Sequence, residues 1–175
     1  AYSAADGVLF NKDKTLLIQH PGGKMGAYAI PAGVNSIAAY AFSGRTGLSS
    51  LTIPAGVVSI GNYAFQNCSG LAEVLFPESL VSLGTGAFQN CSGLQGLALP
   101  DSVTTLGSYA FSGCSGLTNA TLGSGLASIG SLAFNACTGL THLDLPASLA
   151  TIQDRAFEGC NNLAGFSVAE SNDAF

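Results

Sequence analysis

From Val34 onward the order of apolar and polar positions recurs every 23 residues. Phenylalanine marks the period most plainly, at Phe42, Phe65, Phe88, Phe111, Phe134 and Phe157, and each is preceded by alanine. Three residues after the phenylalanine stands cysteine, at Cys68, Cys91, Cys114, Cys137 and Cys160, with Arg45 in that place in the first unit. Leucine follows at Leu48, Leu71, Leu94, Leu117, Leu140 and Leu163. Self-similarity at a fixed period of about 20 to 50 residues marks a stack of supersecondary units. The pattern therefore predicts a solenoid of six units running from Pro31 to Val168 without insertion.

Each unit translates into local structure. Leu48-Ser-Ser-Leu51-Thr-Ile53-Pro54 ends in an alternating run, the mark of a short strand with one buried face. Proline ends it, because it has no N–H for a ladder. A second extended piece carries the pair Val57 and Ile60, and the Gly61–Cys68 segment is expected to form one or two helical turns with Ala, Phe and Cys inward. One unit cannot bury its apolar face alone, so neighbours must stack around a shared core.

Residues 1–30 break the period. Val8–Asn11 and Thr15–Gln19 read as two short strands joined by Lys12-Asp13-Lys14, a hairpin suited to cover one end of the stack. Residues 169–175 end in Ser-Asn-Asp-Ala-Phe, which suggests the start of a further module and a chain cut from a longer array. The expected organisation is thus a cap over 1–30, six repeats over 31–168 and a tail over 169–175, together one domain.

Charge narrows the function classes. The net charge is −5, charged residues make up 9% of the chain, and no basic stripe exists to neutralise phosphates, which argues against nucleic acid as partner. No apolar run reaches the length of a membrane span, so no membrane insertion is expected. The cysteines form one ladder, a single residue per unit, and read as small buried hydrophobes rather than disulfides. Their spacing gives no zinc motif, and neither metal nor cofactor is expected.

Two histidines are present, His20 and His142. His142 and Asp144 lie two apart on one strand and so share a face; with Glu73, Asn119 and Thr121 on earlier units they form the one polar cluster expected on the concave surface. These five residues are the candidate binding site, weighed against a plain solvated strand face. No nucleophile, base and orienter set is visible, so no catalytic residue is assigned and an enzyme is not expected.

The unit Ile-Pro-x-x-Val-x-x-Ile-Gly-x-x-Ala-Phe-x-x-Cys-x-x-Leu-x-x-Leu/Val, as at residues 53–74, resembles the BspA-like leucine-rich repeats of bacterial surface proteins. The opening Tyr2-Ser-x-x-Asp6-Gly7-Val8-Leu9-Phe10-Asn11 is similar to a companion element of that family. The resemblance implies an α/β fold: a right-handed leucine-rich-repeat solenoid with short parallel strands on its concave face, short helical turns outside and an N-terminal β-hairpin cap. It also implies a secreted or surface-displayed, non-enzymatic module that adheres to a protein partner, such as a host or extracellular-matrix protein. A spacer segment with no ligand of its own is the alternative. The chain is expected to be monomeric, with end-to-end association as a further possibility.

Overall fold

In the computed structural model, residues 1–170 and Asn172 are described, so the Ser171–Phe175 break that suggested a further module lies, apart from Asn172, outside the described residues. The chain opens with three strands, β1 (Tyr2–Ala5), β2 (Val8–Asn11) and β3 (Leu16–Gln19), followed by β4 (Gly26–Ala29). Each later coil contributes one two-residue strand and one longer strand. In order they are β5 (Ser36–Ile37) and β6 (Leu48–Thr52), β7 (Ser59–Ile60) and β8 (Glu73–Leu75), β9 (Ser82–Leu83) and β10 (Gly96–Ala98). Then come β11 (Thr105–Leu106) and β12 (Asn119–Thr121), β13 (Ser128–Ile129) and β14 (His142–Leu145), β15 (Thr151–Ile152) and β16 (Gly165–Val168).

The two-residue strands stack in parallel at a shift of 23, as in Ile37 beside Ile60 beside Leu83. They join β3, β2 and β1 in one sheet of order β1-β2-β3-β5-β7-β9-β11-β13-β15. The expected hairpin is present, Val8–Asn11 pairing antiparallel with Leu16–Gln19, and Tyr2–Ala5 extends it to a three-stranded meander by pairing with Val8–Asn11 around the left-handed turn at Asp6 and Gly7. The longer strands form a second, interrupted face, in the pairings β4-β6-β8, β10-β12 and β14-β16.

The expected helical turns are absent: the described residues contain no helix. The reason lies in two columns of left-handed residues. Tyr40, Tyr63, Gly86, Tyr109, Leu132 and Arg155 all have φ of 57–60°, and Gly44, Asn67, Asn90, Gly113, Ala136 and Gly159 have φ of 55–74°. A left-handed residue at every fourth position breaks an α-helix, and each non-glycine one costs about 1–2 kcal/mol. What offsets that cost is hydrogen bonding between coils. The N–H groups of Phe42, Phe65, Phe88, Phe111 and Phe134 donate to the carbonyls of Ala64, Ala87, Ala110, Ala133 and Ala156 at 2.7–2.8 Å. Because Ala64 O and Phe65 N belong to one peptide unit, the bonds link into a continuous amide column along the solenoid. Two further columns run through the left-handed positions, as in Tyr63 N to Thr85 O and Asn67 N to Gln89 O, both at 2.8 Å. The intervening N–H groups close turns within the coil, for example Gln66 N to Tyr63 O at 3.1 Å.

Between the two sheets lies the core. The phenylalanine rings stack face to face, at 4.7, 4.8, 5.4, 5.6 and 5.6 Å between centroids along the series. Phe42 to Phe134 are fully buried, whereas Phe157 in the last coil is half-buried. Beside them the cysteines donate S–H to the phenylalanine carbonyl of the preceding coil, Cys68 to Phe42 O at 3.0 Å and Cys114 to Phe88 O at 3.2 Å. All five thiols are free, four are buried and Cys160 is half-buried. Coils approach so closely that a Cβ at Gly107 would lie 2.7 Å from the carbonyl carbon of Gly84, which is why Gly61, Gly84, Gly107 and Gly130 share one column. No helix in the described residues is long and apolar enough to cross a membrane.

Candidate functional site

The longer strands alternate as β-structure requires. Leu51, Val74, Leu97, Ala120 and Leu143 point into the core, and their neighbours point to solvent. All five predicted binding residues, Glu73, Asn119, Thr121, His142 and Asp144, are exposed on this face. They are not one cluster. Glu73 helps to line a hollow of about 500 Å3 with Leu75, Gly96, Ala98, Asn119 and Thr121. Asp144 lines a second hollow of about 360 Å3 with Asn119, Thr121, Pro146, Ser167 and Val168. Asn119 and Thr121 belong to both and form the ridge between them. The first hollow exists because Gly96 and Ala98 carry little or no side chain between the longer residues of β8 and β12.

At the last two coils His142 Nε2 lies 3.2 Å from Asp144 Oδ1 and 2.8 Å from the hydroxyl of Ser167. Ser167 faces Asp144 in the register of β14 and β16, and its place 23 residues after Asp144 is the sequence signal that could have added it to the candidate residues. The three residue types are those of a hydrolytic triad, but the arrangement is not. A triad base uses one ring nitrogen for the nucleophile and the other for the carboxylate; here serine and aspartate share Nε2. The pair is also open to solvent, with side chains 52% and 82% exposed, where such pairs bind weakly. What the geometry does supply is a fixed donor and acceptor set at the end of the second hollow.

The thiol ladder is graded. Burial pushes the Cys114 thiol up to about 12. The neighbouring thiol of Cys160, and then burial, raise Cys137, while the same neighbour relation lowers Cys160 to about 7. Among the described residues no group of three or more His, Cys, Asp or Glu side chains could hold a metal ion.

A leucine rich repeat region of BspA type matches the chain in 6 copies over residues 27–172. Among solved structures, the Treponema pallidum (T. pallidum) leucine rich repeat protein is 30% identical with a TM-score of 0.85, over 95% of this chain and 78% of that one. The pneumococcal vaccine antigen PcpA is 26% identical with a TM-score of 0.76, over 97% of this chain and 48% of that one. A leucine rich cell surface protein from Faecalibacterium prausnitzii is 28% identical with a TM-score of 0.70, over 96% of this chain and 39% of that one. This chain thus spans less than half the length of the last two. No curated protein matches it.

Proposed function

This chain belongs to the BspA-type leucine-rich repeat family, and from that membership we propose that it is a secreted or surface-displayed module that binds a protein partner through its long-strand face. The observation that carries the reading is the pair of adjoining hollows, with Asn119 and Thr121 between them and the His142, Asp144 and Ser167 set at one end. Extended, partly polar sheet faces are what repeat arrays use for recognition. Two similar structures are described as a cell surface protein and a vaccine antigen, which supports placement outside the cell. The proposed partner is a host or extracellular-matrix protein and not nucleic acid, since residues 46–154 contain no lysine or arginine. The role is non-catalytic and needs no cofactor. The division into a cap over 1–30, repeats over 31–168 and a tail over 169–175 belongs to the same proposal.

The test is a panel of immobilised matrix and serum proteins probed with the chain, its Thr121→Arg variant and the double variant His142→Ala with Asp144→Ala. A bound protein whose affinity falls at least tenfold in both variants supports the reading. Binding that both variants leave unchanged moves the site off this face, and a panel without any binder favours the spacer, a role that the side-chain-poor positions Gly96, Ala98 and Gly165 would also suit. Labelling of intact cells with an impermeant reagent checks display, and label confined to lysed cells would overturn it.

A further inference from the structure

Among the described residues, the buried side-chain nitrogens without a hydrogen-bond partner are Nδ1 and Nε2 of His20. His20 is 1% exposed and occupies the place where the phenylalanine stack meets the cap. Its ring stacks on Phe42 at 4.8 Å and meets Tyr28 edge-on at 4.7 Å. Its main chain is fully used: the N–H donates to Ala41 O at 2.8 Å, and the carbonyl accepts from Arg45 Nε at 2.8 Å. A phenylalanine would complete the stack here at no polar cost. Leaving both nitrogens of an imidazole buried and unpaired is expensive, and such groups call for a partner.

His20 borders a cavity of about 190 Å3 with Lys24, Gly26, Tyr28 and Leu48, and its ring nitrogens lie just beneath the cavity wall. A water molecule takes about 30 Å3 in the liquid, so the space suits a ligand of a few heavy atoms. The charges around the imidazole are of one sign. Burial first, then Arg45 and Lys24, hold its pKa below the usual value, against a smaller opposite pull from the backbone of Pro21. Among acidic groups, Asp6 acts on the neighbouring Tyr28. In a chain of net charge −5 this is a positive, donor-rich recess.

We propose that the recess binds a carboxylate, with one oxygen accepting a hydrogen bond from the His20 imidazole and the Lys24 ammonium balancing the charge. An arriving anion reverses the balance that keeps the imidazole neutral. Binding therefore takes up a proton and tightens as pH falls through the histidine range.

The test is proton NMR of the two imidazoles during titration with sodium acetate, against sodium chloride at equal ionic strength, with His142 as the exposed control. Calorimetry with acetyl-Gly-Gly and with its C-terminal amide separates a free small carboxylate from a peptide carboxylate. The expected result is a saturable shift of the His20 resonances alone, a raised His20 pKa in acetate, and heat from the free-acid peptide but not the amide. Heat from the peptide with no response to acetate also supports the site and assigns it to chain ends. His20→Phe, which suits the stack and should fold at least as well, and Lys24→Gln should each weaken calorimetric binding at least tenfold. Equal response to chloride, no saturable shift with either carboxylate, or full binding by His20→Phe would overturn the proposal, the last two leaving ordinary water as the partner of the ring.

Discussion

The two ends of this solenoid are built in opposite ways. At the first coil the strand edge is covered by β1 and β2, the amide column begins with His20 N–H on Ala41 O, and Arg45 stands where later coils carry cysteine. At the last coil Phe157, Cys160 and Leu163 are only half-buried, and Phe166 and Val168 are 45% and 44% exposed. The N–H groups of Arg155, Phe157 and Gly159, which in every earlier coil donate to the next, have no acceptor among the described residues. The same repeat is thus covered by other strands on one side and half-exposed on the other. Repeat number alone does not stabilise a coil; the presence of a neighbour does.

Thiol chemistry gives the widest contrast. Cys160 is half-buried and its pKa is lowered by the neighbouring thiol of Cys137, whereas Cys114 is fully buried and burial pushes its thiol up, so the thiolate is far more available at the last coil. A disulfide reagent followed by mass spectrometry should label Cys160 first and Cys114 only after denaturation. Equal rates at the two positions would show that the last coil is as closed as the inner ones.

Next in size is packing. Phe111→Ala should cost about 3–5 kcal/mol, the usual range for a buried phenylalanine. Phe157→Ala should cost less, because that ring is half-buried and stacks face to face only on Phe134, meeting Phe166 edge-on. Denaturant midpoints of the two variants measure the difference; equal losses would erase the distinction between inner and terminal coils.

The capped end carries its own pH dependence. His20 has a depressed pKa in the folded state, from burial and then from Arg45 and Lys24, so the unfolded chain binds the extra proton more readily. Its contribution is complete above the unfolded value of about 6.5 and is lost as pH falls through the folded one. Thermal melts of the wild type in carboxylate-free buffer should decline between pH 7 and 5 more steeply than those of His20→Phe. Parallel curves would mean that the ring is solvated.

The smallest effect belongs to the exposed face. Changing His142 and Asp144 together to alanine should alter stability by no more than about 0.5 kcal/mol, as surface changes usually do. A larger loss, read from the same melts, would make the Ser167 contact part of the scaffold.

The period, the inward columns and the strand that ends before each proline were legible because apolar spacing follows burial directly. The turns were not, since Ala-Phe-x-x-Cys places its apolar residues three apart, as a helix would. The contrary signal was the column Gly44, Asn67, Asn90, Gly113 and Gly159, residue types that accept positive φ; Tyr63 and Leu132 hid the second column, being held left-handed by bonds to a neighbouring coil rather than by propensity. The exposed face was legible as a set of columns but not as two hollows, which depend on the missing side chains at Gly96 and Ala98. His20 gave no sign at all, as a lone histidine beside proline says nothing about what stacks on it.

The amide columns have an electrical consequence. Every peptide in them points its N–H toward the last coil, so moments of about 3.5 D each add head to tail over the length of the array. The result is an axial field of fixed sign, positive where Asp154 and Glu158 flank Arg155 and negative where Lys24 and Arg45 stand. Residues 1–45 carry four basic and two acidic side chains, and residues 46–175 one and eight, a gradient of +2 to −7 that opposes the field. The side-chain charges therefore act as counterweights to the backbone, and a charge-reversing change at either end would be felt along the whole stack.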